Sequence, residues 1–143
     1  MPYNIVVGVD GSASSADALR WAIEEARLRD AELTVLFAWQ LPLIGIPGAF
    51  NRADLEQGAR RLLAEEIAAV DPPGDVSINE LVAEGDPSES LMAACDQLGA
   101  DLLVLGSRGR GGFKALRLGS VGQECAVHAD CPVLIVKNGD RAD

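Results

Sequence analysis

The residues whose types and spacing suit them to chemistry are Gly106-Ser107-Arg108-Gly109-Arg110-Gly111-Gly112, followed seven residues later by Gly119-Ser120. They come directly after the apolar run Leu102-Leu103-Val104-Leu105, and Gly119-Ser120 opens a segment that reads as a helix. A strand that ends in glycines and feeds a helix N-terminus makes an anion site. Without a Cβ, glycine lets backbone N–H groups approach a ligand closely and lets the chain take positive φ. The free N–H groups of the first helical turn, at the positive end of the helix dipole, then favour phosphate. Arg108, Arg110, Lys114 and Arg117 lie within ten residues, and no acidic residue occurs between Asp101 and Glu124, in a chain of net charge -10. A local basic island in an acidic protein points to a specific anion, not to general attraction for polyanions. The competing reading is a Gly/Arg surface loop with no ligand.

The elements that must position this loop belong to a chain of 143 residues, read as one domain over residues 1–143 with room for a normal core. Apolar residues make up 48% and charged ones 24%, an ordinary globular balance. Net charge -10 and a pI near 4.4 argue against nucleic acid or an anionic membrane surface as partner. No apolar run approaches the roughly 18 residues a membrane span needs. The start Met1-Pro2-Tyr3-Asn4 lacks a charged, signal-like pattern, so a cytoplasmic location is expected. Cys95, Cys125 and Cys131 are odd in number and show no CxxC spacing, which favours free thiols in a reducing compartment over a zinc site.

Ile5-Val6-Val7-Gly8-Val9 is a nearly unbroken, β-branched apolar run and reads as a strand buried on both faces, ended by Asp10-Gly11-Ser12. From Ser14 to Arg29, helical spacing places Leu19, Ala22, Ile23 and Ala26 on one face, with Ser14 or Ser15 as the N-cap. Glu32 to Trp39 gives the second strand and completes a right-handed βαβ unit. Gln40 to Phe50 is a Pro/Gly-containing loop that is unusually apolar, suited to packing over the sheet, to a ligand lid or to an oligomer contact. Asp54 to Val70 is a helix with a stripe of Leu55, Leu62, Leu63, Ile67 and Val70, stopped by Asp71-Pro72-Pro73-Gly74.

Val76 to Ala83 mixes polar and apolar residues, as an edge strand does. In Gly85-Asp86-Pro87 the Asp can cap a helix and the Pro can occupy its first position, with Glu89 in the first turn. Leu91, Cys95 and Leu98 mark that helix's buried face, and Gly99 fits its C-cap. Asp101 to Leu105 is a central fourth strand, Ser120 to Ala129 a fourth helix, and Val133-Leu134-Ile135-Val136 a fifth strand. Asn138 to Asp143 is a polar tail expected to fray. Five strands alternating with four helices imply an open parallel α/β sheet with helices on both faces, and ligands in such sheets sit where the strand order reverses. If the first and fourth strands are neighbours there, Asp10 and the glycine loop face one crevice. The fifth strand then lies at the far edge of an order 3-2-1-4-5. An apolar edge without charge must be covered or paired, so a homodimer through residues 133–136 is expected.

Several motifs together resemble the universal stress protein family. Gly106-x-x-Gly109, then nine residues and Gly119-Ser120, is similar to the nucleotide motif of its ATP-binding branch. Val9-Asp10-Gly11-Ser12-x-x-Ser15-x-x-Ala18-Leu19 resembles its first strand and helix, Gly85-Asp86-Pro87 the start of its third helix, and Cys131-Pro132-Val133-Leu134-Ile135-Val136 its closing strand. The resemblance implies the five-stranded, Rossmann-like order 3-2-1-4-5 and a homodimer through the last strand. It implies ATP, with Mg²⁺, as the bound nucleotide. Asp10 would take the ribose or adenine end with Val9 beside it, and backbone near Ala38 would read the adenine edge. Gly106, Gly109, Gly119, Ser120 and Val121 would hold the phosphates, with Arg108 within reach of them.

Catalytic signatures are absent from the sequence: there is no GxxxxGK[ST], no GxGxxG after the first strand and no GxSxG. The one histidine, His128, has no neighbouring nucleophile, and Asp10 also reads as a turn residue in Asp-Gly-Ser. No residue stands out as a base for phosphoryl transfer and no metal-ligand set is expected, so any ATP hydrolysis should be slow. The expected function is a nucleotide-dependent regulatory protein of the stress response. The alternatives are a slow ATPase acting as a timing switch and a nucleotide-free partner binder.

Overall fold

The computed structural model describes residues 2–40, 51–108 and 119–137. Among them the elements run β1 (Asn4–Val9), α1 (Ala13–Arg29), β2 (Glu32–Trp39), α2 (Arg52–Ala69), β3 (Ser77–Glu84), α3 (Pro87–Leu98), β4 (Leu102–Gly106), α4 (Ser120–His128) and β5 (Val133–Val136). The strands form one parallel sheet, as the alternation of apolar runs and helical stripes implies, in the order β3-β2-β1-β4-β5 that the family resemblance implies. No helix among the described residues is long and apolar enough to cross a membrane.

Each face of the sheet carries its own core. Ile5 and Val7 of β1, Leu33 and Val35 of β2, and Leu102 and Val104 of β4 point to one face, where Leu19, Ala22 and Ile23 of α1 and Leu63 and Ile67 of α2 cover them. Val6, Leu36, Leu103 and Leu105 point to the other, against Leu91, Ala94 and Cys95 of α3 and Cys125 of α4. This strict alternation along β1 and β4, with both faces dry, explains why their sequences are unbroken apolar runs. Gly8 lies on the second face: a Cβ there would stand 3.0 Å from side-chain methyls of both Leu91 and Leu105.

Helix starts follow capping chemistry. Asp86 caps α3 by accepting the Glu89 N–H, and the Ser88 hydroxyl donates to the same carboxylate at 2.6 Å. These donors hold the Asp86 carboxyl below the usual range. Pro87 occupies the first helical position and Gly99 closes the helix with φ 63, both as the sequence predicts. Three expectations are corrected. Helix α1 is capped by Ser12, whose Oγ accepts the Ser15 N–H at 3.1 Å, rather than by Ser14 or Ser15. Helix α2 begins at Arg52, capped by Asn51 through the Ala53 and Asp54 N–H groups, two residues before the predicted Asp54. Leu62 and Leu98 are exposed (51% and 41%). The buried stripe of α2 is Ala59, Leu63 and Ile67 at steps of four, from which Leu62 is rotated by about 100°; Leu98 is the last residue of its helix.

Strand β3 lies at one edge and β5 at the other. Val133, Leu134, Ile135 and Val136 are each partly exposed. Residues 138–143 of the polar tail and residues 41–50 of the apolar loop are outside the described residues.

The three cysteines are free thiols, Cys95 and Cys125 buried and Cys131 half-buried. Burial pushes the Cys95 thiol far up and the Cys125 thiol up to about 11, and it raises Cys131 as well. The folded chain therefore keeps thiol protons that the unfolded chain releases above the ordinary value of 9.0. Stability should be flat with respect to these groups up to that pH and decline above it, as denaturant titrations at stepped alkaline pH will show. Near pH 8 a thiol reagent should label Cys131 first and leave Cys95 and Cys125 unmodified until denaturant is added, because the thiolate is the reactive form.

Two glycine substitutions should separate in thermal and denaturant unfolding. At Gly8 the added methyl meets only the flexible ends of leucines, and Gly8→Ala should cost about 1 kcal/mol. At Gly106 the nearest atoms are the Oγ, carbonyl oxygen and carbonyl carbon of Ser14, at 2.4, 2.6 and 2.7 Å, so backbone must move. Gly106→Ala should cost about 3 kcal/mol or displace the start of α1.

Candidate functional site

The strand order reverses between β1 and β4: the chain runs outward from β1 through β2 to β3, and from β4 to β5 on the other side. Connections leaving two such strands diverge and open a crevice at the carboxyl ends. The registers bring those ends level. Val9 pairs with Phe37, Val7 with Val104, and Gly106 with Val136. Continuing the β1–β4 offset sets Val9 beside Gly106, and continuing the β1–β2 offset sets Asp10 beside Ala38. The predicted Val9, Asp10, Ala38 and Gly106 thus come together on three adjacent strands. Ala38 and Val121 both pack on the core under α3 and α4, which puts them on the same side of the crevice.

Asp10 is shaped by the turn that follows it. Its Oδ1 accepts the Ser12 N–H at 3.0 Å, and its own N–H donates to Ser15 Oγ at 3.2 Å. Ser15 Oγ in turn donates to the Ser12 carbonyl at 3.1 Å. Gly11, at φ 84, supplies the left-handed residue the turn needs. Both readings of Asp10 therefore share one geometry: it is a turn residue, and it stands at the mouth of the crevice. A carboxylate accepts about four hydrogen bonds, so the turn bond is compatible with a ligand hydroxyl.

The opposite wall is the end of β4 and the start of α4. Gly119 is the N-cap and Ser120 the first helical residue, where the sequence places the start of the fourth helix. Gly119 is extended (φ -66, ψ 165), makes no side-chain cap bond, and its carbonyl accepts the Gln123 N–H at 3.0 Å. The other helices are each capped by a side chain, from Ser12, Asn51 and Asp86. The first turn of α4 also carries no acidic residue, so its positive end is not neutralised by its own side chains. The Gly119 N–H donates to the Ser107 carbonyl at 2.8 Å, and the Ser107 N–H to the Val136 carbonyl at 3.1 Å. These two backbone bonds hold the uncapped helix end against β4 and β5. Arg108 follows, partly buried, with its N–H donating to Ser14 Oγ at 3.2 Å.

The predicted Gly109 and the basic residues Arg110, Lys114 and Arg117 lie outside the described residues. His128 is exposed, 3.7 Å from Glu124, on the last residue of α4 and away from the crevice mouth. Among the described residues no group of three or more His, Cys, Asp or Glu side chains is placed to hold a metal ion. In the sequence Ser14 reads only as a helix cap. The cluster Ser12-Ala13-Ser14-Ser15 was a visible signal, but it does not say which hydroxyl reaches residue 108.

The sequence model of the Universal stress protein family matches residues 1–137, from the start of β1 through the end of β5. A universal stress protein of Mycobacterium tuberculosis is 33% identical over 134 residues, covering 93% of this chain and 44% of that protein, so the chain spans about half the length of this relative. A solved universal stress protein in complex with cAMP superimposes with TM-score 0.70 at 27% identity, covering 94% of this chain and 96% of the other. The universal stress protein of Archaeoglobus fulgidus in complex with dAMP gives a TM-score of 0.65 at 25% identity, over 94% and 98% of the two chains. A match that takes in every strand, the Asp-Gly-Ser turn and the glycine-capped fourth helix leaves one assignment: the chain belongs to the universal stress protein family.

Proposed function

We propose that this chain binds an adenine nucleotide, ATP with Mg²⁺, in the crevice between β1 and β4, and that occupancy regulates its surface in a stress response. One observation carries the reading: the uncapped, acid-free N-terminus of α4 is pinned through Gly119 and Ser107 at the point where the strand order reverses. Backbone donors left without a capping side chain at such a place suit a phosphate. Solved relatives in complex with cAMP and dAMP support an adenine nucleotide as the ligand class.

In this reading Asp10 accepts from the ribose and Val9 lies beside it. Backbone at Ala38, on the adjoining strand, reads the adenine edge. Ser120 and Val121 present helix N–H groups to the phosphates; Gly119, whose own N–H is taken by the Ser107 carbonyl, leaves room for the phosphates by having no side chain, while Gly106 and Arg108 shape the turn behind them. Gly109 is assigned a phosphate contact on the motif alone. Mg²⁺ enters on the nucleotide's phosphates, since no described cluster of side chains is built to hold it. Its chemistry is to neutralise phosphate charge in a protein of net charge -10.

Calorimetric titration of nucleotide-stripped protein with MgATP tests this. Micromolar binding is expected, and Gly119→Val should weaken it at least tenfold with the fold intact by circular dichroism. Because Gly119 has a φ and ψ that valine also adopts, the loss would come from bulk at the phosphates and not from backbone strain. Absence of wild-type binding would overturn the reading.

We infer also that two copies associate through β5. An edge of Val133, Leu134, Ile135 and Val136, each partly exposed, offers unpaired backbone groups and apolar side chains to a second copy. Light scattering at micromolar concentration should give a dimer, and Ile135→Lys should give a monomer. A monomeric wild type would end this inference.

A further inference from the structure

We propose that Ser14 is a positioning residue for the phosphate side of the crevice, so that its hydroxyl sets how strongly the phosphates are gripped relative to the nucleoside. This rests on the nucleotide reading and deepens it.

Ser14 is the second residue of α1 and is 3% exposed. A buried hydroxyl demands a partner, because leaving it unsatisfied costs desolvation energy. Its Oγ takes the N–H of Arg108, 94 residues away in sequence. The same serine forms the floor beneath Gly106, whose absent Cβ would sit 2.4 Å from that Oγ. Three consecutive residues at the end of β4 are thus anchored. Gly106 is held by packing on Ser14, Ser107 by backbone bonds to Val136 and Gly119, and Arg108 by the Ser14 hydroxyl.

Among these hydrogen-bond anchors, that hydroxyl is the one supplied by a side chain. The others are backbone to backbone and persist whatever the sequence. Ser107, which carries the start of α4 through the Gly119 N–H, is the immediate neighbour of Arg108. Losing the Ser14 hydroxyl leaves the Arg108 N–H without its acceptor and frees the peptide that links it to Ser107. The orientation of the α4 N-terminus then loosens. On the other side, the first turn of α1 holds Asp10 through Ser12 and Ser15, and neither bond involves Ser14. One helical turn therefore supports both ends of the crevice through separate hydroxyls, and removing Ser14's acts on the phosphate end alone.

The test compares adenosine, which has no phosphate, with MgATP, titrated into wild type, Ser14→Ala and Ser14→Thr. Ser14→Ala should weaken MgATP binding about tenfold, the size of one hydrogen bond of about 1.4 kcal/mol, and change adenosine binding by less than about twofold. Ser14→Thr keeps the acceptor oxygen and should retain the wild-type ratio. A purely structural role would lower both affinities together, and equal losses, or no loss, in Ser14→Ala overturn the proposal. If Ser14→Ala does not fold, the wild-type Arg108 amide decides by hydrogen exchange: slow exchange, retained in Ser14→Thr, supports the anchor, and fast exchange overturns it. Failure of the underlying reading is distinguishable, because wild-type protein would then bind neither ligand and both proposals would fall.

Discussion

The contact on which the β4–α1 junction depends is between two pieces of backbone, the end of β4 at Gly106 and the start of α1 at Ser14. A Cβ on residue 106 would lie 2.6 Å from the Ser14 carbonyl oxygen, so the first turn of α1 can rest on β4 only where that carbon is missing. The contact brings Ser14 within reach of Arg108, the neighbour of Ser107, which bridges β5 and α4. Glycines in a strand-to-helix loop are readily explained by the close approach of a ligand. At Gly106 the approaching group is the protein itself.

The edge built this way has an electrostatic logic that opposes the charge of the whole chain. Net charge -10 repels anions at long range, but that field is screened over roughly 8–10 Å at physiological ionic strength. Within contact distance the relevant charges are the N–H groups of α4, whose first turn has no acidic residue and whose cap has no side chain. A glycine cap costs the helix little compared with serine or aspartate, and it leaves donors directed outward. In the nucleotide reading proposed above, a small positive locus in an acidic chain favours one anion over polyanions in general.

Much of this was legible beforehand, for reasons visible in particular residues. Unbroken runs such as Ile5-Val6-Val7 and Leu103-Val104-Leu105 are central strands because both their faces are dry, and Leu19, Ala22, Ile23 and Ala26 are buried because they recur at the helical period. Asp86-Pro87 and Gly99 bound α3 through interactions that span four residues or fewer. Leu62 misled because an apolar residue one step off a helical stripe looks the same in a short window as one on it. The alternation of elements implies a parallel sheet but no single strand order; the order 3-2-1-4-5, and with it the meeting of Asp10 and Gly106, rests in the sequence on the family resemblance.

The sequence by itself determined the number and order of the elements, the doubly covered sheet, the acidic surface with its basic island, and the residues that end each strand. These depend on periodicity, turn chemistry and charge, which are written within a dozen residues. The tertiary structure decided which of Ser12, Ser14 and Ser15 caps α1, why residue 106 has no side chain, and that the start of α4 is tied to Ser107 through the Gly119 N–H. Three serines within four residues have nearly equal local capping strength. Ser15 is taken up locally by the Asp10 N–H and the Ser12 carbonyl, but Ser14 is engaged by Arg108 across 94 residues, and a contact at that separation exists only once the strands have paired.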